Sequence, residues 1–338
     1  MISLAVKYRP QTLEDIVGQD SIVKVLNRQL VNNEFKNAYL FAGCSGCGKT
    51  TAARAFARRI NNNIGAPIEI DGASNNGVDN VKTIIANAQE RSLEGKYKIY
   101  IIDECHSLTS QAWQAFLKCI EEPPTYTIFI FCTTDPQKIP ATILNRVQRF
   151  NFAKISAELI ESRLNFIAEA EGFTEYREST NYISKVCNGS MREAISLLDK
   201  CASYSKDVNI NNVLYILGKA SYDMLFQLIN SLIDCDEKKT LEAFENIRTN
   251  NTDMKLFVDD FIVFCLDVSK YILFKSMDIT SIPKTKEQEV NMCINFDNAS
   301  SWYGYVTDKL LKLKNMLKTD VNPVSTTQVV LLQIARCQ

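Results

Sequence analysis

The sequence predicts an α/β domain built on a parallel sheet, followed by helical segments. Two observations carry this. Short, nearly all-apolar runs alternate with helical patterns up to about residue 152, and strand signals fade from Ser156 onward. Strands apolar on both sides belong to sheets covered by helices on both faces, usually parallel ones. In order, strands are expected at Ala38–Ala42, Pro67–Ile70, Tyr97–Ile102, Ile128–Thr133 and Val147–Phe152. The helices between them are expected at Thr50–Ile60, Val78–Glu90 and Ser110–Glu122, the last stopped by Pro123 and Pro124.

Beyond Ser156 the patterns read as helices. Three are expected at Ser156–Glu171, Glu178–Cys187 and Met191–Tyr204. Ser190 followed by Glu193 is a capping box, which fixes the third helix start at Met191. The polar stretch Ser203–Asn211 marks a boundary. Five more helices are expected at Tyr222–Asp234, Lys238–Arg248, Met254–Ser276, Ser301–Leu317 and Thr326–Ala335, with Ile279–Glu289 as a loop. The resulting division is residues 1–153 for the α/β domain, 154–208 for a small helical lid domain and 209–338 for an all-helical domain.

Composition excludes several classes. With 338 residues, 46% apolar and 23% charged, the chain can bury real cores. A net charge of −1 argues against a polycation that coats nucleic acid. The most apolar run, Leu256–Phe274, is interrupted by Asp259, Asp260, Asp267 and Lys270, so no membrane span is expected. Eleven scattered cysteines and no signal peptide suggest a reducing, cytoplasmic setting, with most cysteines acting as small buried hydrophobes. Cys44 and Cys47 have CxxC spacing, but their place in a glycine-rich loop and a single histidine, His106, speak against a metal or redox role.

The chemistry concentrates in three places. Gly43, Cys44, Ser45, Gly46, Cys47, Gly48, Lys49 and Thr50 match the phosphate-loop pattern between a strand and a helix. Glycines let backbone N–H groups turn toward phosphate, and the helix N-terminus favours an anion. Lys49 is placed for the β- and γ-phosphates of ATP, Thr50 for Mg²⁺, and Thr51 beside them. The apolar strand ending in Asp103 and Glu104 is the acidic partner of such a loop: Asp103 for Mg²⁺, Glu104 to polarise the attacking water. The third place is Thr133, Thr134 and Asp135 after the fourth strand, where a polar group can meet the γ-phosphate; a simple turn is the competing reading.

These residues sit within longer matches at Lys7–Thr12, Val17–Gln19, Ala38–Phe41, Glu69–Ser74, Leu117–Pro124 and Thr133–Lys138, with Asp103 to His106 between them. Over its first two hundred residues the chain resembles the gamma/tau subunits of the bacterial DNA polymerase III clamp loader, which are AAA+ ATPases. The resemblance implies an AAA+ nucleotide domain, a helical lid and an all-helical collar. It further implies that Tyr8, Arg9, Pro10, Val17 and Gly18 line the adenine and ribose site, that Thr134 is sensor 1, and that Arg192 is sensor 2. Arg146 falls where the family carries an arginine that reaches a neighbour's ATP, although Asn145 and Val147 depart from the usual flanks and Arg149 competes for the role. Asp71 falls where related loaders carry a polar switch. The family's four-cysteine zinc module is missing between Cys47 and Cys105, so no zinc is expected, and by the resemblance a short form without the tau extension is expected.

By the same resemblance the partners are other loader subunits in a pentameric ring, a sliding clamp and primer-template DNA, with no membrane. Ser74–Asn80 and Ser107–Gln111 are candidate helix starts for DNA phosphates, with Lys82 and Arg91 as weaker candidates. Trp113, Phe116, Leu117 and Ile120 form a helical apolar stripe, read either as core or, through Trp113, as a clamp contact. Two other functions fit part of the pattern. One is a Holliday-junction branch-migration ATPase; the other is a subunit that binds nucleotide without turning it over.

Overall fold

The structure is a computed structural model that describes residues 2–92, 94–249 and 253–336. The chain forms two compact units, residues 1–167 with 183–199, and residues 168–182 with 200–338.

The first unit holds five parallel strands: β1 Ala38–Gly43, β2 Ile68–Asp71, β3 Lys98–Asp103, β4 Thr127–Thr133 and β5 Gln148–Phe152. Their order in the sheet is β2-β3-β4-β1-β5. The alternation of side chains along each strand explains why they read as continuous apolar runs. Ile128, Ile130 and Cys132 of β4 face a core with Phe56, Ala53 and Leu26. Phe129 and Phe131, on the opposite side, pack with Val81, Trp113 and Phe116. The central strands β1, β3 and β4 are mostly buried, as the sequence predicts, whereas the edge strand β2 stays largely exposed.

Element positions follow the expected ones closely. The helices of this part run Lys49–Ile60, Val78–Ala88 and Ser110–Glu121. The helix Asp20–Asn32 was not expected; Ile22 and Leu26 are its buried residues, and Asn33 ends it in the left-handed region. Between the helix Lys49–Ile60 and β2 lie only residues 61–67. The apolar stripe on the helix Ser110–Glu121 resolves in favour of core packing. Trp113 is buried, its ring 5.3 Å from that of Phe131, so it is not an exposed clamp contact.

The second unit is helical, with Ile210–Ile216, Tyr222–Ile233, Glu237–Thr249, Met254–Phe274, Glu287–Cys293, Ala299–Met316 and Pro323–Arg336. Phe257, Phe261 and Phe264 stack along one helix at its centre. Two of these helices were missed. Ile210–Ile216 begins at the polar boundary because Asn209 caps it, its side chain accepting from the Asn212 N–H at 3.0 Å. Glu287–Cys293 occupies part of the expected loop, anchored by buried Val290 and Cys293. Among the described residues no helix is long and apolar enough to cross a membrane, and eight cysteines are buried.

Phe116 has no exposure and its ring lies within 6 Å of both Phe129 and Phe131. Phe116→Ala should therefore cost about 3–5 kcal/mol of unfolding free energy, read from urea denaturation.

Candidate nucleotide-binding site

The site lies at the C-terminal ends of β1, β3 and β4. In the order β2-β3-β4-β1-β5, β4 sits between the strand that feeds the phosphate loop and the strand that ends in Asp103. Open parallel sheets bind ligands outside such strand ends. Gly43 pairs with Phe152 of β5, and a Cβ on it would lie 2.6 Å from the Phe152 carbonyl oxygen. Gly46 has φ of 70°, and a Cβ there would meet Ser190 Oγ at 2.1 Å. Only glycine serves at either position.

Lys49 is buried, and its Nζ donates to the carbonyls of Gly43 at 2.9 Å and Cys44 at 2.8 Å. No carboxylate neutralises it in these bonds, which leaves a cation in a loop shaped for anions. Thr50 Oγ1 donates to Asp103 Oδ2 at 2.8 Å. A hydroxyl and a carboxylate meeting beside a cationic cleft are hard oxygen donors of the kind Mg²⁺ takes together with phosphate oxygens, so the residues fit Mg²⁺ with nucleotide.

Glu104 sits in the left-handed region at φ 44°, which turns its side chain out of the strand direction. Thr134 Oγ1 donates to Glu104 Oε2 at 3.0 Å. His106 Nδ1 stands 3.3 Å from the same oxygen and 3.2 Å from Thr133 Oγ1. The Glu104–His106 contact was not foreseen; the signal was the two-residue spacing across the short turn Cys105–Ser107. Asp71 accepts from Ala73 N–H and from Ser74 Oγ within its own turn, and these bonds hold its carboxyl below the usual range.

A cleft of about 260 Å³ opens beside the loop. Tyr8, Arg9, Pro10 and Val17 line it, together with Gly46 to Thr51 and Asp103. Gly18 is not on the wall; a Cβ there would touch Ile155 and Leu159 at 3.4 Å, so it sets the close approach behind Val17. Arg192 also lines the cleft. Its helix is tied to the loop directly, because the Met191 N–H donates to the Gly46 carbonyl at 3.1 Å. The capping box forms by half: Ser190 Oγ accepts from Glu193 N–H at 3.3 Å, whereas the Ser190 N–H donates to the Cys187 carbonyl.

Two charged cleft residues escaped the sequence reading. Arg54 lies one turn beyond Thr50, and Arg163 donates to the Tyr8 carbonyl at 3.1 Å. Burial and the charges of Arg54 and Arg192 hold Arg9 below the usual guanidinium range, with Glu69 opposing them. Arg146 is not among the cleft residues. Its guanidinium pairs with Glu121 at 2.7 Å and donates to the Thr142 carbonyl. Arg149 donates to Asn151 within β5. Among the DNA candidates, Lys82 faces Asp79 at 3.7 Å and Arg91 lies over the Tyr126 ring. Among the described residues no cluster of three or more histidine, cysteine or acidic side chains is placed to hold a metal.

A family profile described as DNA polymerase III, delta subunit, matches residues 66–156. The chain is 35% identical over 260 residues to the DNA polymerase III subunit gamma of Buchnera aphidicola subsp. Schizaphis graminum, covering 70% of this chain and 72% of that one. It belongs to the gamma/tau subunit family of DNA polymerase III. It is also 38% identical to the DNA polymerase III subunit tau of Bacillus subtilis, a match over 78% of this chain and 51% of that one. The gamma/tau chain described here thus spans about half the length of the first of its curated relatives. Among solved structures, the Thermotoga maritima RuvB Holliday junction branch migration motor aligns with a TM-score of 0.52 over 67% of this chain and 79% of that one. At 19% identity this shares the AAA+ fold alone.

Gly46→Ala should lower unfolding stability by about 1–2 kcal/mol from the left-handed backbone alone, with the Ser190 contact adding to it. Urea denaturation of the variant beside Ser190→Gly, which removes the clash, checks the cause.

Proposed function

We propose that this gamma/tau chain is an ATP-driven motor subunit of a sliding-clamp loader. ATP binding would favour a ring of subunits that opens the clamp and grips primer-template DNA, and hydrolysis would release both. The observation that carries the reading is the convergence of Lys49, Thr50, Asp103, Glu104 and Thr134 beyond the C-terminal ends of β1, β3 and β4 while Arg146 stays outside the cleft. Residues 1–153, 154–208 and 209–338 are taken as nucleotide, lid and collar domains.

In this scheme Lys49 and the loop N–H groups hold the β- and γ-phosphates. Thr50 and Asp103 hold Mg²⁺, which when bound neutralises phosphate charge. Tyr8, Arg9, Pro10 and Val17 receive the adenine and ribose. Glu104 orients the attacking water, and the Thr134 hydroxyl fixes the carboxylate that does so. Arg192, at the start of a helix bonded to Gly46, senses the γ-phosphate. Arg146 completes the site of the neighbouring subunit. The intact set of Lys49, Thr50, Asp103 and Glu104 favours turnover over a subunit that only binds nucleotide.

Glu104→Gln should retain ATP binding and lower turnover by about 10²–10⁴-fold, measured by phosphate release beside filter binding. Arg146→Ala should leave binding unchanged and cut turnover of the assembled complex by about 10³-fold or more. The wild-type assembly should hydrolyse faster with clamp and primed DNA together than with either alone. Full turnover by an isolated monomer, or no stimulation by clamp and DNA, would sink the reading.

A further inference from the structure

Arg54, an arginine of the cleft, is held by a carboxylate through two parallel hydrogen bonds. Its Nε donates to Glu69 Oε1 at 2.7 Å and its Nη2 to Glu69 Oε2 at 2.5 Å. The two side chains keep 27% and 39% exposure, so this is not a sealed structural pair. An exposed pair contributes little to stability and exchanges readily when a stronger anion comes within reach. Arg54 lines the nucleotide cleft and lies four residues beyond Thr50, hence on the same helix face. Arg9 and Arg192 line that cleft too, and the Glu69 charge opposes the burial and the arginine charges acting on Arg9.

Glu69 is itself well placed to pass on a change. It sits on β2, an edge strand, two residues before Asp71. The turn beyond is bonded to the acidic end of the site, because the Gly72 N–H donates to the Asp103 carbonyl at 2.7 Å. A Cβ at Gly72 would lie 2.8 Å from that same oxygen, so the approach is as close as backbone allows. The Asn76 carbonyl in turn accepts from Thr109 N–H, where the helix Ser110–Glu121 begins.

We propose that Arg54 is an exchangeable nucleotide contact, held by Glu69 in the structure described and transferred to the polyphosphate of a bound nucleoside triphosphate, so that Glu69 and the turn after β2 register occupancy. This rests on the nucleotide-site reading above. Glu69 then acts as a competitor for Arg54 and not as its support.

The test measures binding of a fluorescent, non-hydrolysable ATP analogue with Mg²⁺ to the full chain, for wild type, Glu69→Gln, Arg54→Gln and the double variant. Urea denaturation in parallel confirms that each folds. Glu69→Gln should tighten binding by about three- to fivefold, the amount an exposed ion pair can withhold, whereas Arg54→Gln should weaken it. The double variant should match Arg54→Gln, since without the guanidinium Glu69 has nothing to withhold. Bound analogue should also alter amide hydrogen exchange at Gly72–Asn76 in wild type and not in Arg54→Gln. Weakened or unchanged binding in Glu69→Gln would overturn the inference while leaving the nucleotide site intact. Failure of the wild-type chain to bind the analogue would overturn the site reading itself.

Discussion

The candidate cleft is organised around the hydrogen bond between Thr50 and Asp103. It joins the first turn of the helix after β1 to the end of β3, two strands that are not neighbours in the sheet. β4 lies between them and ends in Thr133, so its last residues arrive beside the same point. The placement follows from close packing more than from any local preference. Phe129 and Phe131 fill one face of β4, Ile128 and Ile130 the other, and each strand is held at its depth by both layers. A strand that slipped by two residues would carry Asp103 or Thr134 about 7 Å along the sheet axis.

Much of this was legible in the sequence. The phosphate loop and the acidic strand end are local patterns, since the backbone conformation they need is written in adjacent glycines and in one apolar run. All five strands lie within a residue or so of their expected limits for the same reason. What stayed hidden depends on distant residues. Arg54 and Arg163 carry no local mark that sets them apart from surface arginines; their place becomes visible only when the helix Lys49–Ile60 and the Tyr8 backbone are brought to one cleft. Trp113 belongs to a stripe whose pattern fits both core and surface, and the ring of Phe131 decides it. The helix Glu287–Cys293 is short, with two buried residues to mark it, and polar Lys284 to Glu289 masked even those.

The helix Met191–Tyr204 beside the site shows how sequence signals can be right in kind and incomplete in detail. Ser190 caps the helix start as its spacing with Glu193 implies, yet its own N–H turns to Cys187. The reason lies next door. Gly46 of the phosphate loop packs against Ser190, and the Met191 N–H is spent on the Gly46 carbonyl. A helix N-terminus engaged in this way is bound to the loop through backbone, one residue before Arg192 on the cleft wall.

The cysteines have a consequence of another kind. Those at 47, 105, 119 and 132 sit in the cores on the two faces of the sheet, and burial pushes their thiols up, Cys47 to about 11. Nucleophilic attack, alkylation and oxidation all proceed through the thiolate. The buried thiols at these four positions are therefore poor nucleophiles toward electrophiles and peroxides while the chain is folded. Among the described cysteines only Cys44 and Cys235 reach the surface even in part. Reaction of a thiol reagent at those buried positions would therefore report opening of the core around them, and such a reagent becomes a gauge of how intact the protein is.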